Sequence, residues 1–297
     1  MQLEQAGTRA RCAIEMKKAE VFMEALPWIK EFAGRTVVIK YGGAAMTDAA
    51  IRDSVLSDIV MLKMLGLRLV MVHGGGKEIS NLSERLGLPV EFQNGLRITS
   101  PEVMDVVKMT LIGKVNQELV AQLNAHGNIA VGLNGADGHT LAARCSDPAL
   151  GRVGAVAGVD AGLIGDLLER DYMPVIATVA VGDDGDSYNV NADEAAAAIA
   201  VALGAHRLIL LTDVDGLYGD FADKSTLISR LSQAEAAELL QDPGLSRGMR
   251  PKVAACVAAL RGSVAGAHIL NGTIPHSLLL EMFTDEGVGT MFDRGIL

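Results

Sequence analysis

TVVIKYGG, at residues 36–43, is an apolar β-type run that ends in Lys40 and turns through two glycines. Such a strand can aim an ammonium group and a backbone N–H at one anion, because glycine lets the main chain approach a ligand closely. Two further turns have the same character: VHGGGK at 72–77, where a strand leads into a helix, and GMRPK at 248–252, where a helix begins. A helix N-terminus adds a partial positive charge. Together the three turns predict a site for phosphate and carboxylate oxygens.

Strands alternate with helices along the chain. The apolar β-rich runs lie at 36–40, 68–73, 129–133, 174–180, 207–212 and 267–271. The helical patterns lie at 48–65, 76–87, 101–126, 161–171, 192–203, 232–241 and 250–265. This alternation predicts an α/β fold, a three-layer αβα sandwich whose central, mainly parallel sheet has helices on both faces. Ligands of such sheets bind beyond the carboxyl ends of the strands, which is where the glycine turns fall.

Four segments add to this alternation. Residues 90–98 and 139–160 contain short β runs broken by Gly and Asp, and they predict hairpins over the site, in the position of a lid. Residues 8–32 show the spacing of an amphipathic helix, which fits either a packed cap on the domain or an oligomerisation arm. The alanine-rich helix after Asp193 is predicted to join two lobes, with a boundary near residue 195.

Composition narrows the class of protein. A chain of 297 residues that is 49% hydrophobic can form one large α/β domain or two lobes. A net charge of −10 and an aromatic content of only 4% argue against a nucleic-acid partner. No apolar run is long enough to span a membrane, and the N-terminus lacks the apolar core of a signal peptide. Three scattered cysteines without metal spacing (Cys12, Cys145 and Cys256) fit a reducing cytoplasm. We therefore expect a cytoplasmic protein without a membrane partner or a metal site of its own.

Polar side chains in three more segments are candidates for the same site. The guanidinium of Arg97, which follows a tight turn, suits a bidentate clamp on a carboxylate. In NVNAD, at 189–193, alternate residues of an extended chain face one side, which brings both asparagines and the aspartate together. The strand that ends in LLTD, at 210–213, can offer hydrogen-bonding groups to a ribose or a purine.

Each of these features also has an ordinary structural explanation. Lys40 can be a strand-end lysine, Arg97 a surface charge and Lys252 an exposed, solubilising side chain. Asn191 or Asp193 can simply cap the helix that follows. The patterns Gly-x-x-x-x-Gly-Lys-[Ser/Thr] and Gly-x-Gly-x-x-Gly are both absent, which argues against a P-loop and against a dinucleotide site. The features therefore carry weight in combination rather than one by one.

In combination the segments resemble the amino acid kinase family. The resemblance runs from about residue 19 to residue 292, and besides the segments above it includes GKVN at 113–116. Within the family, the chain is most similar to bacterial enzymes that phosphorylate N-acetyl-L-glutamate in arginine biosynthesis. The resemblance implies the amino acid kinase fold and ATP-dependent phosphorylation of the γ-carboxylate of N-acetyl-L-glutamate. The implied product is N-acetyl-L-glutamyl 5-phosphate, formed by direct in-line phosphoryl transfer.

The resemblance also implies roles for individual residues. Lys40 and Lys252 would stabilise the transferring phosphoryl group, Asp193 would organise the two lysines, and Gly43 and Gly75 would supply backbone N–H donors. The residues implied for N-acetyl-L-glutamate are Gly74, Gly75, Arg97, Asn189 and Asn191. The nucleotide is ATP, with Mg²⁺ held mainly by its phosphates. The residues implied for ATP are Thr212, Asp213, Val214, Asp215, Gly216, Leu217, Gly244, Leu245, Ser246, Gly248 and Met249.

A further part of the resemblance concerns regulation. Arginine-inhibited members carry an extra N-terminal helix and a characteristic C-terminal stretch, and this chain has counterparts of both. Residues 1–35 would then join a homohexamer, a trimer of dimers, while 36–195 bind the amino acid and 196–297 bind ATP and the effector. L-Arginine would bind at His268, Glu281 and Gly287. A strand histidine and a solvated helix end are the ordinary explanation of the first two residues, but the presence of both the helix and the stretch favours the regulatory site. Whether a signalling protein relieves the inhibition stays open.

The chain departs from the family pattern at three places. Arg250 stands where an apolar residue is usual, and Phe221 and Ala222 replace a turn that usually contains proline. NGAD at 134–137 varies the common Ser-Gly-x-Asp. None of these positions is one of the two lysines, so the departures concern details of the nucleotide pocket rather than the chemistry.

Three alternatives remain at this stage. A sister kinase would act on glutamate, aspartate, carbamate or UMP, whereas Arg97 and the run at 189–193 favour an acylated amino acid. A kinase for an acylated aminoadipate would keep most of the motifs and stays open. A non-catalytic arginine sensor with a decayed kinase fold is opposed by the presence of Lys40, Asp193 and Lys252. A dinucleotide-dependent oxidoreductase lacks its glycine signature. The fold alone would not separate these functions.

Overall fold

The computed structural model describes residues 16, 20–21, 23–46 and 48–295. Its helices are α1 (23–32), α2 (Ala49–Met64), α3 (Gly76–Arg85), α4 (Pro101–Lys108), α5 (Gln117–Asn124), α6 (Gly162–Glu169), α7 (Ala192–Ala202), α8 (Gln233–Leu239), α9 (Arg250–Arg261) and α10 (Ser277–Phe283). Its strands are β1 (Thr36–Tyr41), β2 (Arg68–His73), β3 (Phe92–Gln93), β4 (Leu96–Arg97), β5 (Ala130–Asn134), β6 (Leu141–Cys145), β7 (Val153–Val159), β8 (Met173–Ala177), β9 (Val179–Gly182), β10 (Ser187–Val190), β11 (Arg207–Thr212), β12 (Leu217–Tyr218), β13 (Leu227–Ile228), β14 (Arg230–Ser232), β15 (Gly266–Asn271) and β16 (Thr290–Asp293).

Eight strands of this part of the chain form one sheet, in the order β14-β16-β15-β11-β1-β2-β8-β5. The pairs from β15 to β5 are parallel, and β16 is antiparallel to β15. The carboxyl ends of β1, β2, β8, β11 and β15 therefore meet at one edge. This edge carries the glycine turns that follow β1 and β2, as the sequence predicts.

Both faces of the sheet are buried. Along β1, Val38 belongs to one apolar core, while Val37 and Ile39 belong to the other, because successive side chains of a strand point to opposite faces. Helices α6, α7 and α9 contribute to the first core, and α2, α5 and α10 contribute to the second. The predicted three-layer αβα sandwich with a mainly parallel sheet is confirmed.

The predicted hairpins are confirmed as well. Strands β3 and β4 pair antiparallel around a turn with Asn94 at φ +52° and Gly95 at φ +83°. Strands β6 and β7 also pair antiparallel, and with β9 and β10 they close a small barrel next to the main sheet. The barrel places β10, and thus Asn189, beside the carboxyl edge of β8.

The structure differs from the predicted elements in several places. The predicted strand 174–180 is two strands, because the chain leaves the main sheet at Thr178 and enters the barrel as β9. The predicted helix 250–265 ends at Arg261 and is capped by Gly262. Helix α10 was not predicted, since a short apolar run such as SLLLEMF does not distinguish helix from strand.

Two predictions concern the ends and the division of the chain. Residues 16, 20–21 and 23–32 are helical, and the rest of the helix predicted for 8–32 lies outside the described residues. The predicted lobe boundary near 195 falls inside α7, and strands from both sides of it share the main sheet. None of the described helices combines the length and the apolar character needed to cross a membrane.

Candidate active site

Two lysines from distant parts of the chain meet on one carboxylate. Lys40 lies near the carboxyl end of β1, and Lys252 lies in the first turn of α9. The Nζ atom of Lys40 is 3.1 Å from Oδ1 of Asp193, and the Nζ atom of Lys252 is 3.0 Å from Oδ2 of the same residue. Because each ammonium group contacts a different oxygen, the carboxylate holds the two lysines at a fixed separation.

The Asp193 carboxyl is ionised although its side chain is only 5% exposed. Burial opposes the charged form, but the ammonium groups of Lys40 and Lys252 outweigh it and hold the pKa of Asp193 below its ordinary value. Two cations against one anion leave the cluster with a net positive charge. The cluster is therefore suited to face an anionic ligand.

Asn191 determines where Asp193 points. The Oδ1 atom of Asn191 accepts hydrogen bonds from the backbone N–H groups of Asp193, at 2.9 Å, and Glu194, at 3.2 Å, so Asn191 is the N-cap of α7. The extended alternation predicted for 189–193 is wrong beyond Asn191, because the chain becomes helical at Ala192. The sequence allowed either Asn191 or Asp193 to cap α7, and the structure shows that Asn191 is the cap. The Asp193 carboxylate is therefore free to contact the two lysines.

Close approach requires glycine at two points of the site. A Cβ atom at Gly42 would lie 3.2 Å from Nζ of Lys40, and one at Gly75 would lie 2.7 Å from Cδ2 of Leu111. A Cβ atom at Gly74 would make only an ordinary contact at 3.6 Å. Within the triplet, packing therefore restricts Gly75, and not Gly74, to glycine. Gly43 has a φ of +72°, in the left-handed region, where the chain turns away from β1.

His73 and Asn116 hold the glycine triplet from behind. His73 is fully buried, its Nδ1 lies 3.0 Å from the carbonyl oxygen of Gly74, and its Nε2 lies 3.0 Å from Nδ2 of Asn116. Asn116 Nδ2 also donates to the carbonyl oxygen of Val175 at 2.8 Å. Burial lowers the pKa of His73 to about 4, so the ring is neutral near pH 7. A neutral ring that accepts from Asn116 at Nε2 must donate from Nδ1, which fixes the Gly74 carbonyl.

The residues predicted for the amino acid line one small cavity of about 200 Å³. Arg97 is 6% exposed, and its Nη2 donates to the carbonyl oxygen of Gly76 and to Oγ of Ser80, both at 2.7 Å. Its other terminal nitrogen, Nη1, is buried without a hydrogen-bond partner among the described residues. The guanidinium also stacks on Phe92, 4.6 Å from the ring centroid. The other predicted residues in the lining are Gly74, Gly75, Asn189 and Asn191.

The residues predicted for ATP line a second cavity, of about 670 Å³. Lys252 contributes to this cavity, so the lysine cluster lies at its boundary. Asp215 is the exception, because it is absent from the lining and its carboxylate accepts hydrogen bonds from Asn271 and Tyr218. The predicted residues found in the lining are Thr212, Asp213, Val214, Gly216, Leu217, Gly244, Leu245, Ser246, Gly248 and Met249.

His268, Glu281 and Gly287 line a third cavity, of about 660 Å³, together with Trp28 and Phe32 of α1. Glu281 is only 4% exposed on its side chain, and its Oε1 lies 2.7 Å from Nδ1 of His268. Burial disfavours the charged carboxylate, but the hydrogen bond from His268 and further N–H donors hold the pKa of Glu281 below its ordinary value. The Nε2 atom of His268 is buried without a partner among the described residues.

The sequence did not identify every residue that shapes the site. Ser80 braces Arg97 from one turn into α3, and Leu111 packs against Gly75 from the π-helical segment Met109–Asn116. Arg250, noted as a departure, donates to the carbonyl oxygens of Leu240 and Asp242 and thereby ties α9 to the end of α8. One sequence signal could have indicated Ser80. It lies four residues after Gly76, so the two residues share one face of α3.

Comparison with known proteins agrees with this geometry. Residues 35–271 match the sequence model of the amino acid kinase family. A mainly parallel α/β sheet with a lysine cluster beside a cavity of about 670 Å³ is thus the framework of a kinase family. The chain belongs to the amino acid kinase family, and it is an enzyme of that family.

The curated relatives point to a particular branch. The chain is 50% identical over 288 residues to a protein of Bifidobacterium animalis subsp. lactis named acetylglutamate kinase, with 94% of each chain covered. It is 51% identical to the acetylglutamate kinase of Thermosynechococcus vestitus, with 92% of this chain and 93% of the relative covered.

A solved structure extends the comparison. N-acetylglutamate synthase from Neisseria gonorrhoeae, complexed with coenzyme A and N-acetyl-glutamate, aligns with a TM-score of 0.82 at 28% identity over 94% of this chain. The present chain spans 64% of the length of that structure's chain. The same synthase complexed with coenzyme A and L-arginine aligns with a TM-score of 0.78 at 26% identity, over 93% of this chain and 65% of that chain.

Proposed function

We propose that this protein is an ATP-dependent kinase that phosphorylates the γ-carboxylate of N-acetyl-L-glutamate and yields N-acetyl-L-glutamyl 5-phosphate, a step of arginine biosynthesis. The observation that carries the proposal is the Asp193 carboxylate, which holds Lys40 and Lys252 together. Lys252 lines the larger cavity, and Asn191 and Ala192, which precede Asp193 in the chain, line the smaller one. The larger cavity has the volume for a nucleotide, and the smaller one is lined by the guanidinium-bearing Arg97. The name shared by the curated relatives supports the choice of substrate.

The proposed reaction is direct in-line transfer of the γ-phosphoryl group. A carboxylate with an ordinary pKa near 4 is already ionised at neutral pH, so the acceptor needs no general base. Its approach to a triphosphate is opposed by charge repulsion, and phosphoryl transfer depends mainly on alignment and neutralisation of charge. Lys40 and Lys252, held apart by Asp193, supply cationic groups on either side of the transferring phosphoryl group. The N–H groups of Gly43 and Gly75 are proposed to add hydrogen bonds to its oxygens.

The amino acid is proposed to bind through Arg97. Arg97 lines the small cavity, and its Nη1, which has no hydrogen-bond partner among the described residues, is proposed to donate to a substrate carboxylate. Ser80 and Phe92 hold the planar guanidinium in place. Asn189 contributes a side-chain amide to the same cavity, which suits the amide of an acylated amino group. These groups favour an acylated dicarboxylic amino acid over carbamate or UMP.

Magnesium is proposed to enter as part of the substrate MgATP. Across the described residues, no group of three or more His, Cys, Asp or Glu side chains could hold a metal ion, and both Asp193 oxygens contact ammonium groups. The donor set therefore does not fit a resident metal ion. Mg²⁺ commonly keeps several waters and binds substrate phosphates.

The test is ATP-dependent formation of an acyl phosphate, trapped with hydroxylamine. N-acetyl-L-glutamate is compared with glutamate, aspartate and N-acetyl-L-aminoadipate at equal concentrations. Activity confined to N-acetyl-L-glutamate is expected. Preference for another acid would reassign the substrate, and absence of activity on all of them would favour the non-catalytic sensor. A phosphorylated enzyme that forms and decays at the rate of turnover would contradict direct transfer.

We also propose that the third cavity binds L-arginine as an inhibitor. A guanidinium needs a carboxylate that stays ionised in a partly enclosed site, and Glu281 is such a group. The cavity also contains Asp285, Glu286 and Arg230, so it offers both signs of charge to a zwitterion. Trp28 of α1 lines the same cavity, which places the N-terminal helix next to the proposed effector. The hexamer implied by that helix remains a prediction.

A further inference from the structure

Phe221 is an exposed aromatic side chain at the wall of the nucleotide cavity. It lies in the hairpin formed by β12 and β13, it is 66% exposed, and it lines the cavity together with Tyr218. The chain has only 4% aromatic residues, and a large apolar side chain left this exposed at a cavity wall is available to contact a ligand. This is also the position at which the sequence departs from the usual proline-containing turn.

The ring of Phe221 is held in place by its neighbours. Tyr218 meets it edge to face, with ring centroids 5.7 Å apart and an interplanar angle of 90°. The Nζ atom of Lys224 lies 4.0 Å from the Phe221 centroid and 4.2 Å from the Tyr218 centroid. The Tyr218 hydroxyl donates to Asp215, which is fixed in turn by Asn271 of β15. A cation therefore covers one face of the Phe221 ring, and much of the remaining ring surface is left to solvent.

The hairpin lies at the end of the cavity away from the lysine cluster. Lys40 is on β1, and the order of strands from there is β11, β15 and β16. The hairpin is anchored over β16, because the Thr290 hydroxyl accepts from the backbone N–H of Leu217 and donates to the carbonyl oxygen of Ile228. Three strand spacings of about 4.8 Å place β16 roughly 14 Å from β1. A nucleoside triphosphate with its phosphates at the lysines would extend its base toward the hairpin.

We propose that Phe221 is a stacking platform for the purine base of the nucleotide. The proposal rests on the proposed function, since it assumes that the cavity binds ATP. Every base has a π-face, so an exposed aromatic ring binds a base without reading its hydrogen-bonding edge. Lys224 on one face keeps the ring oriented, and the base covers the surface that is exposed. The same arrangement would bind adenine and guanine, and it would contribute nothing to a bare triphosphate.

The experiment measures binding directly, by calorimetry without the amino acid substrate. ATP with Mg²⁺ and inorganic tripolyphosphate with Mg²⁺ are titrated into the wild type, Phe221→Ala, Phe221→Leu and Phe221→Trp. The alanine variant is expected to bind ATP about tenfold or more weakly and tripolyphosphate unchanged. The leucine variant keeps apolar bulk but loses the π-face, so it should resemble alanine, whereas tryptophan should restore affinity.

A fluorescence measurement tests the contact between the base and residue 221 separately from the binding affinity. The chain has a single tryptophan, Trp28, so Phe221→Trp in a Trp28→Phe background carries one fluorophore in the hairpin. ATP should change its fluorescence, and tripolyphosphate should not. If the wild type binds ATP and all variants bind it equally, the stacking proposal is overturned and the kinase proposal stands. If the wild type fails to bind ATP at all, both are overturned.

Discussion

Among single residues, Asp193 has the strongest electrostatic role in the site. Two ammonium groups that both approach one phosphoryl group repel each other, and a buried anion between them offsets that repulsion. The same anion would be costly to bury alone, and the two lysines keep it ionised. The three groups therefore depend on one another, so losing any one of them affects both folding and chemistry.

Replacing Asp193 with asparagine should affect stability and turnover together. The substitution keeps the shape of the side chain but leaves the buried Lys40 and the half-buried Lys252 without their counter-ion, a change that costs about 3–5 kcal/mol of the free energy of unfolding. With the lysines misplaced, we expect kcat to fall by roughly 100-fold or more. Urea unfolding and steady-state kinetics measure the two effects.

Asp105→Asn, which breaks an exposed ion pair with Lys108, is the control and should cost about 0–1 kcal/mol. Equal losses in the two variants would contradict the role of Asp193.

Arg97 and Lys252 should affect different kinetic constants. Arg97→Ala removes a ground-state contact with the amino acid, so we expect its KM to rise roughly 10- to 100-fold, corresponding to a lost charged hydrogen bond. Lys252→Ala removes a charge that acts on the transferring group, so it should lower kcat with little change in that KM. Arg97→Lys keeps the charge without the planar fork and should fall between wild type and alanine. An Arg97→Ala enzyme with an unchanged KM for N-acetyl-L-glutamate would remove Arg97 from the substrate site.

At the scale of elements, the long helical segment from α4 to α5 supports the glycine triplet. Its middle part is π-helical, from Met109 to Asn116. This part presents Leu111 to Gly75 and Asn116 to His73. A π-helical segment is commonly found where a functional site needs a local change in helix register. Here it lets one helix contact two positions of the turn between β2 and α3.

The buried, neutral His73 should make stability depend on pH. Its pKa is lowered to about 4 in the folded protein, against about 6.5 in an unfolded chain. Between these values the unfolded state binds a proton that the folded state does not, so the free energy of unfolding falls as pH decreases from 6.5 toward 4. The shift corresponds to roughly 3 kcal/mol, fully present above pH 6.5.

Urea titrations at several pH values between 4.5 and 7.5 measure this dependence. His73→Gln has an amide that stays uncharged over the whole range, so this variant should show a flatter dependence on pH than the wild type. Parallel curves for the two proteins would contradict the assignment of the effect to His73.

The elements that the sequence predicted well are those with strong local signals. β1, β2 and β11 are apolar runs next to glycine or Thr-Asp turns, and the candidate residues beside them line the cavities of the structure. The π-helical register was not predictable, because 101–126 reads as an ordinary amphipathic helix. The contact between Ser80 and Arg97 joins residues 17 positions apart in different elements, and only the packing of α3 against the β3–β4 hairpin brings them together.

For the whole molecule, the order of strands places the two cavities proposed for the substrates on opposite sides of β1. The nucleotide cavity receives residues that follow β11 and lie near α9, and the amino acid cavity receives residues that follow β2 and β8. Asp193 comes from α7, the helix in which the predicted lobe boundary falls. The third cavity is linked to the nucleotide cavity through β15. His268 lies in this strand, and Asn271, at its end, donates to Asp215, which also accepts from Tyr218 in the lining of the nucleotide cavity. An effector that changed the position of β15 would therefore act on the nucleotide side.

Arginine should stabilise the protein and inhibit it through this link. A ligand that binds only the folded state adds about 2.7 kcal/mol to the free energy of unfolding at 100 times its Kd, so we expect Tm to rise with arginine concentration. L-Citrulline has the same length and shape but a neutral ureido group, so it should have little effect if Glu281 recognises the guanidinium.

Glu281→Gln should abolish the arginine-dependent rise in Tm and the inhibition together. The two losses must coincide, because both effects require arginine to bind in this cavity. An enzyme whose Tm and activity are both unaffected by arginine would leave the cavity without this role, and the buried Glu281 would then serve only to hold the backbone N–H groups of Val288 and Gly289.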